Sequence, residues 1–119
     1  MNTSFELITI QSLDDLDPAD RDGLPYGVIG FDRETIVEIY NAAEAEMAGL
    51  DPVQVVGAPF FQSTAQCMNN FMVAQRFEDE PELDAIIPYV LTLRMRPTPV
   101  RMRLLASSGI PRRYILVAR

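Results

Sequence analysis

The sequence has no histidine, no tryptophan and no lysine, and only one cysteine, Cys67. Without histidine, a Ser-His-Asp triad, a histidine-paired thiol and histidine metal ligation are excluded. A single cysteine excludes an internal disulfide and any multi-cysteine zinc or iron–sulfur site. Long apolar runs are also missing: the longest, near residues 85–93, falls well short of the roughly 20 residues that cross a bilayer. The opening segment, MNTSFELITI, has neither a basic n-region nor a continuous apolar h-region, so no signal peptide is expected. These absences point to a cytoplasmic chain with no membrane association.

What is present is globular. The 119 residues are 48% apolar and 23% charged, which fits one domain spanning 1–119, with residues 1–22 as an N-terminal cap segment. A domain of this length buries roughly two-thirds of its unfolded surface, enough for a core that encloses a small ligand. Charge is segregated. All 17 acidic residues lie within 1–84, with only Arg21, Arg33 and Arg76 to offset them, while 85–119 carry the other arginines and no acid. The basic strands are expected to face acidic surface from the N-terminal half, or water. The net charge of −7 opposes attraction to phosphate, so no nucleic-acid partner is expected.

The pattern of elements is α+β. Residues 12–22 read as a short helix, with Ser12 and Asp15 at capping-box spacing and Gly23 as its end. Residues 26–31 and 35–40 read as a hairpin turned by Asp32-Arg33-Glu34. Asn41 caps a helix over 42–48 that Gly49 closes, and Asp51-Pro52 starts another that stops at Gly57. Pro59-Phe60-Phe61 leads into a polar loop carrying Cys67, followed by a helix over 69–77 and an acidic loop over 78–82. Alternation over 89–95, 100–104 and 113–118 predicts three more strands. The sum is a central antiparallel five-stranded sheet with short helices on one side.

Three side chains carry chemical interest. Cys67 reads either as a small buried apolar group or, beside the start of a helix, as a nucleophile or attachment point. Tyr40 ends a strand and reads as an aromatic at the rim. Glu44 lies three residues after Asn41, where it can serve the free amides of a helix start. The spacing also lets Tyr40 and Glu44 converge on one interior point. A phenol and a carboxylic acid, both able to donate, suit a buried oxyanion better than a cation.

Those residues carry a resemblance. Tyr40-Asn41-Ala42-Ala43-Glu44, then Gly49, Asp51-Pro52, Gln54-Val55, Gly57, Phe60-Phe61 and Cys67, resemble the photoactive yellow protein family. So do Asp22-Gly23-Leu24 and Gly27 earlier, and Met95, Pro97-Thr98 and Val100 later. The resemblance covers the chain from about residue 20 onward. It implies a PAS-fold blue-light photoreceptor for sensory and signal transduction, not an enzyme. It also implies p-coumaric acid (4-hydroxycinnamic acid) held as a thioester on Cys67, with Tyr40 and a protonated Glu44 donating to the chromophore oxygen. Met95, Phe60, Leu50, Leu91 and Leu93 occupy the remaining chromophore-binding positions. Isomerisation and proton transfer from Glu44 would then drive the signalling change, read by an unidentified downstream protein, with the receptor a monomer or weak dimer.

The chain departs from the family at several of these positions. Leu50 stands where an arginine covers the pocket, Ala48 where a threonine supports the tyrosine, and Gln66 and Met68 where a proline and a threonine flank the cysteine. Leu91 and Leu93 replace aromatics. The attachment point and both donors remain, while the groups around them change. A looser, wetter pocket is expected, with Arg94, Arg96 or Arg101 as substitutes for the lost charge. The alternative is a PAS interaction or small-ligand module without light chemistry. A thiol enzyme has neither a histidine base nor a second cysteine to support it.

Overall fold

The computed structural model describes residues 2–93 and 95–119, the side chain of Leu93 excepted. Two short helices open the chain, α1 (Ile10–Asp15) and α2 (Pro18–Asp22). The sequence predicts one continuous helix here. Thr9 caps α1 by accepting from the Ser12 amide, so Ser12 lies inside the helix rather than at its cap. Asp17 and Pro18 then restart the chain as α2, because proline fits the first helical position and not the interior.

Strands β1 (Gly27–Phe31) and β2 (Val37–Tyr40) form the expected hairpin. Helix α3 (Ala42–Ala48) follows directly, and Gly49 closes it at φ 70°, a left-handed value that glycine adopts without penalty. Helix α4 spans Pro52–Val55 with Asp51 as its cap. A π-helical turn (Phe60–Thr64) and a 3-10 turn (Gln66–Met68) then carry the chain past Cys67.

Helix α5 is Ala74–Asp79, later than the sequence predicts. The delay has a local cause: the Asn70 side chain accepts from the amides of Met72 and Val73, and this turn competes with helix there.

Three long antiparallel strands complete the fold: β3 (Leu83–Leu93), β4 (Arg96–Ser107) and β5 (Ile110–Ala118). The sheet order is β2-β1-β5-β4-β3, so the first and last parts of the chain meet at its centre. Pro97 and Pro99 fall in the part of β4 that precedes its pairing with β5, which runs from Arg101↔Ala118. Pro88 sits on the edge strand β3. Those are places where a missing N–H removes little from the ladder.

Both sheet faces are covered, one more than the sequence predicts. One face packs Phe31, Phe60, Phe61, Phe77, Met102, Leu104, Ile115 and Val117 beneath the middle helices. The other packs Val28, Leu105, Tyr114 and Leu116 against Phe5, Ile8 and Leu13 of the N-terminal segment. Arginines hold that segment down. Arg103 is buried, takes Asp84 in a bidentate pair and donates to the carbonyls of Phe5 (3.1 Å) and Ile8 (2.6 Å). Arg101 pairs with Glu6 and lies over the Phe5 ring, and Arg112 pairs with Asp14 and Glu38. Arg101, Arg103 and Arg112 of the last strands thus face acids, one of the two outcomes the charge segregation allows. No helix among the described residues is long and apolar enough to cross a membrane.

Candidate functional site

The site is assembled around Asn41. Its Oδ1 accepts from the amides of Val28 (2.8 Å) and Glu44 (3.1 Å), and its Nδ2 donates to the carbonyls of Arg21 (2.9 Å) and Tyr26 (3.1 Å). One amide side chain therefore ties the end of α2, strand β1 and the start of α3 together. Asp22 takes the Ala42 amide at 2.9 Å. With these helix-start amides already served, Glu44 is released from the capping role that its position suggests. Its side chain turns inward instead, and Glu44 is only 4% exposed.

Tyr40 and Glu44 line one cavity together with Cys67, Leu50, Phe60 and Leu91, as well as Ala48, Thr64, Ala65, Met68 and Thr92. Its volume is about 180 Å³, below the roughly 300–1,000 Å³ of pockets for drug-sized ligands. A single ring with a short tail is the scale that suits it. The walls are mostly apolar; the polar side chains are the buried Tyr40 and Glu44, the exposed thiol of Cys67, and Thr64 and Thr92.

The electrostatics of the pair follow from burial. Desolvation pushes the Glu44 carboxyl up to about 7, partly opposed by the positive charge of Arg119 and by hydrogen bonding with Tyr40. Near neutrality the acid is therefore divided between its protonated and ionised forms. Tyr40 is held above its ordinary value, first by desolvation and then by the negative charge of Glu44, so it stays a neutral donor. One oxygen of Glu44, Oε1, is buried without any hydrogen-bond partner. Leaving such an oxygen charged and unpaired is costly, whereas the neutral acid carries a proton to give.

One expected position falls elsewhere. Met95 sits at the tip of the β3–β4 hairpin, at φ 66° and 93% exposed, and lines no part of the cavity. The tip turns it toward solvent. The Leu93 side chain, and Arg94 as a substitute charge, lie outside the described residues. Arg101 is engaged with Glu6 on the opposite face, so it cannot replace the pocket charge. Cys67 also differs from expectation. It sits in the middle of a 3-10 turn, and the next helix begins only at Ala74, so no helix start adjoins the thiol.

Sequence reasoning gave no role to four supporting groups. Tyr89 on β3 donates its hydroxyl to the Cys67 carbonyl (2.8 Å). Asn70 donates to that carbonyl (2.9 Å) and to the Tyr89 hydroxyl (2.6 Å). The turn bearing the thiol is thereby fastened to the sheet. Gly27 leaves room for the Glu44 carboxyl, since an ideal Cβ there would overlap Oε1. Arg119, far away in sequence, supplies the positive charge that Glu44 feels. The resemblance pointed at Gly27; no local signal marks the other three.

Comparison with known proteins identifies the family. No family model matches the chain. It is 33% identical over 93 residues to a photoactive yellow protein of Rhodothalassium salexigens, covering 76% of this chain and 74% of that one. It is 32% identical over 96 residues to the photoactive yellow protein of Halochromatium salexigens, covering 78% and 77%. Among solved structures, the photoactive yellow protein domain of the sensor histidine kinase Ppr from Rhodospirillum centenum superposes with a TM-score of 0.84 at 30% identity, covering 92% of this chain and 98% of that one. A PAS domain of an HTR-like protein from Haloarcula marismortui, 16% identical with a TM-score of 0.64, shares the fold alone. The chain has the PAS fold and belongs to the photoactive yellow protein family.

Proposed function

We propose that this chain is a blue-light sensor that carries p-coumaric acid as a thioester on Cys67. The observation that carries the reading is the single cavity that joins Cys67 to Tyr40 and Glu44. The donor set fits such a group: a thiol reachable from outside, an apolar slot of single-ring scale, and at its inner end a neutral phenol and a carboxyl whose proton affinity lies near neutral pH. Attachment replaces the S–H bond of Cys67 by an S–acyl bond; the thiol proton goes to solvent and the activating group of the acid departs. When bound, the group supplies a conjugated phenolic system that absorbs blue light and changes shape about a double bond.

The chain does the rest. Tyr40 donates and holds the phenolic oxygen. Glu44, desolvated and neutral in the resting state, donates beside it, because a second negative charge at that point would be repelled. Loss of that geometry lets the Glu44 carboxyl pass its proton toward the phenolic oxygen. A carboxylate with an unpartnered Oε1 then remains inside the protein. That state is expensive, and loosening of α3 and its neighbours relieves it. The loosened surface is the signal, read by a downstream protein.

The test is to mix the chromophore-free chain with an activated p-coumaroyl donor and follow intact mass and absorption before and after blue light. A mass gain that Cys67→Ala abolishes, with a red-shifted band that bleaches and recovers, is expected. An unmodified chain, or an adduct that does not respond to light, sinks the reading. One observation favours a second reading, a PAS small-ligand module without light chemistry. The cavity mouth carries Leu50, 40% exposed, and Ala48, so neither a guanidinium nor a hydroxyl from these positions closes the pocket.

A further inference from the structure

Glu44 stands between two spaces. On one side is the cavity of Cys67. On the other, between α3 and the end of β5, lies an open cleft of about 630 Å³ lined by Pro25, Tyr26, Met47, Val117 and Arg119 among others. The unpartnered Oε1 lies against Gly27 of β1. An ideal Cβ on Gly27 would overlap it and would lie 3.1 Å from the Cε of Met47, and Gly27 is the register partner of Val117. Met47 and Val117, which line the cleft, thus flank the strand position against which the buried oxygen sits.

We infer that Glu44 exchanges its proton with water through this cleft, not through the cavity, with Gly27 and Met47 forming the inner gate and Arg119 at the mouth setting how readily the proton leaves. The chemistry fits the placement. An acid that gives up its proton on each light event must recover it from solvent. A route on the far side lets it do so while the cavity stays filled. A cation there favours the carboxylate and so promotes release. The groups around Glu44 are Tyr40 from β2, Tyr26 ahead of β1, Asp22 at the start of α3, Glu46 on α3, Cys67 across the cavity and Arg119 after β5. Among these Arg119 carries the one positive charge. Because Arg119 is exposed, its influence is screened by salt.

The inference rests on Glu44 being the proton donor, but its test needs no chromophore. A failure to attach or respond to light is therefore a separate result. In the chromophore-free chain with carbon-13-labelled glutamate, the Glu44 titration is followed by NMR at low and high salt, and hydrogen–deuterium exchange of its carboxyl by rapid-mixing infrared. Arg119→Gln is expected to raise the midpoint by about half a pH unit or more, roughly a threefold change in proton release, and to abolish the salt response. Arg119→Lys should restore both. Met47→Ala is expected to speed exchange several-fold and draw the midpoint down toward the ordinary carboxyl value. Tyr40→Phe should shift the midpoint yet leave its salt response and exchange rate in place. An unchanged midpoint in Arg119→Gln, or exchange that follows Tyr40 rather than Met47, overturns the assignment.

Discussion

The two faces of the sheet solve opposite problems with similar materials. On the N-terminal face a buried charge, Arg103, has its donors matched to two carbonyls and a bidentate carboxylate. On the helical face a buried acid, Glu44, keeps an oxygen without a partner. The first arrangement fixes a segment in place, since losing its bonds to the Phe5 and Ile8 carbonyls would strand two buried acceptors. The second stores an unmet need, which is what a switch requires and a structural network avoids. Polar burial holds one face still and, on the proposed reading, makes the other responsive.

The contrast is breakable, beginning with the largest effect. Phe31 packs against Phe60, Phe61 and Phe77 under the cavity. Phe31→Ala should cost about 3–5 kcal/mol, measured by urea unfolding, and should weaken chromophore attachment as the floor of the cavity collapses. If stability falls while attachment is untouched, the cavity does not depend on that packing.

Next comes the pH dependence of stability. The folded-state value of Glu44 lies at about 7, above its ordinary value of 4.5. The folded chain therefore binds this proton more tightly than the unfolded chain does. The stabilisation is complete below about 4.5 and is lost as pH rises through about 7. The whole effect is about 3 kcal/mol. Glu44→Gln, which keeps the shape and stays neutral, should unfold at a higher temperature than the parent chain at pH 8, while the difference narrows toward pH 5. Parallel unfolding curves at the two pH values would mean that the fold does not raise the proton affinity of Glu44.

A smaller loss is expected on the opposite face. Arg103→Ala strands the carbonyls of Phe5 and Ile8 and should cost about 1–3 kcal/mol. It should also expose the first residues to limited proteolysis while leaving the Glu44 titration unmoved. A shifted titration would show that the faces are coupled through β4 and β5. The smallest effect belongs to Met95→Ala, within about 0.5 kcal/mol, with no change in the chromophore band, because the side chain is exposed at a hairpin tip. A displaced band would place Met95 at the chromophore after all.

Much of this was legible before any coordinates. Asn41 before an alanine-rich stretch closed by Gly49, and Asp51 before Pro52, set helix boundaries through local backbone chemistry, and α3 and α4 begin where those residues put them. The period-2 alternation located the late strands, though not their full length. Strand β3 begins at Leu83, beside acids that look like loop, because Asp84 is held by Arg103 from the neighbouring strand. The start of α5 was missed because the Asn70 side chain claims amides that a helix would otherwise use.

By itself the sequence determined what is local: caps, turns, strand alternation, and the kinds of side chain available for a site without histidine and with one thiol. Only the tertiary structure decided what depends on distant residues meeting. It set Glu44 inward against Gly27, brought Arg119 within electrostatic reach of it, and fastened the Cys67 turn to Tyr89. The physical reason is one of range. Capping and alternation act within a few residues of each other, whereas desolvation and charge act through space between parts of the chain that only folding brings together.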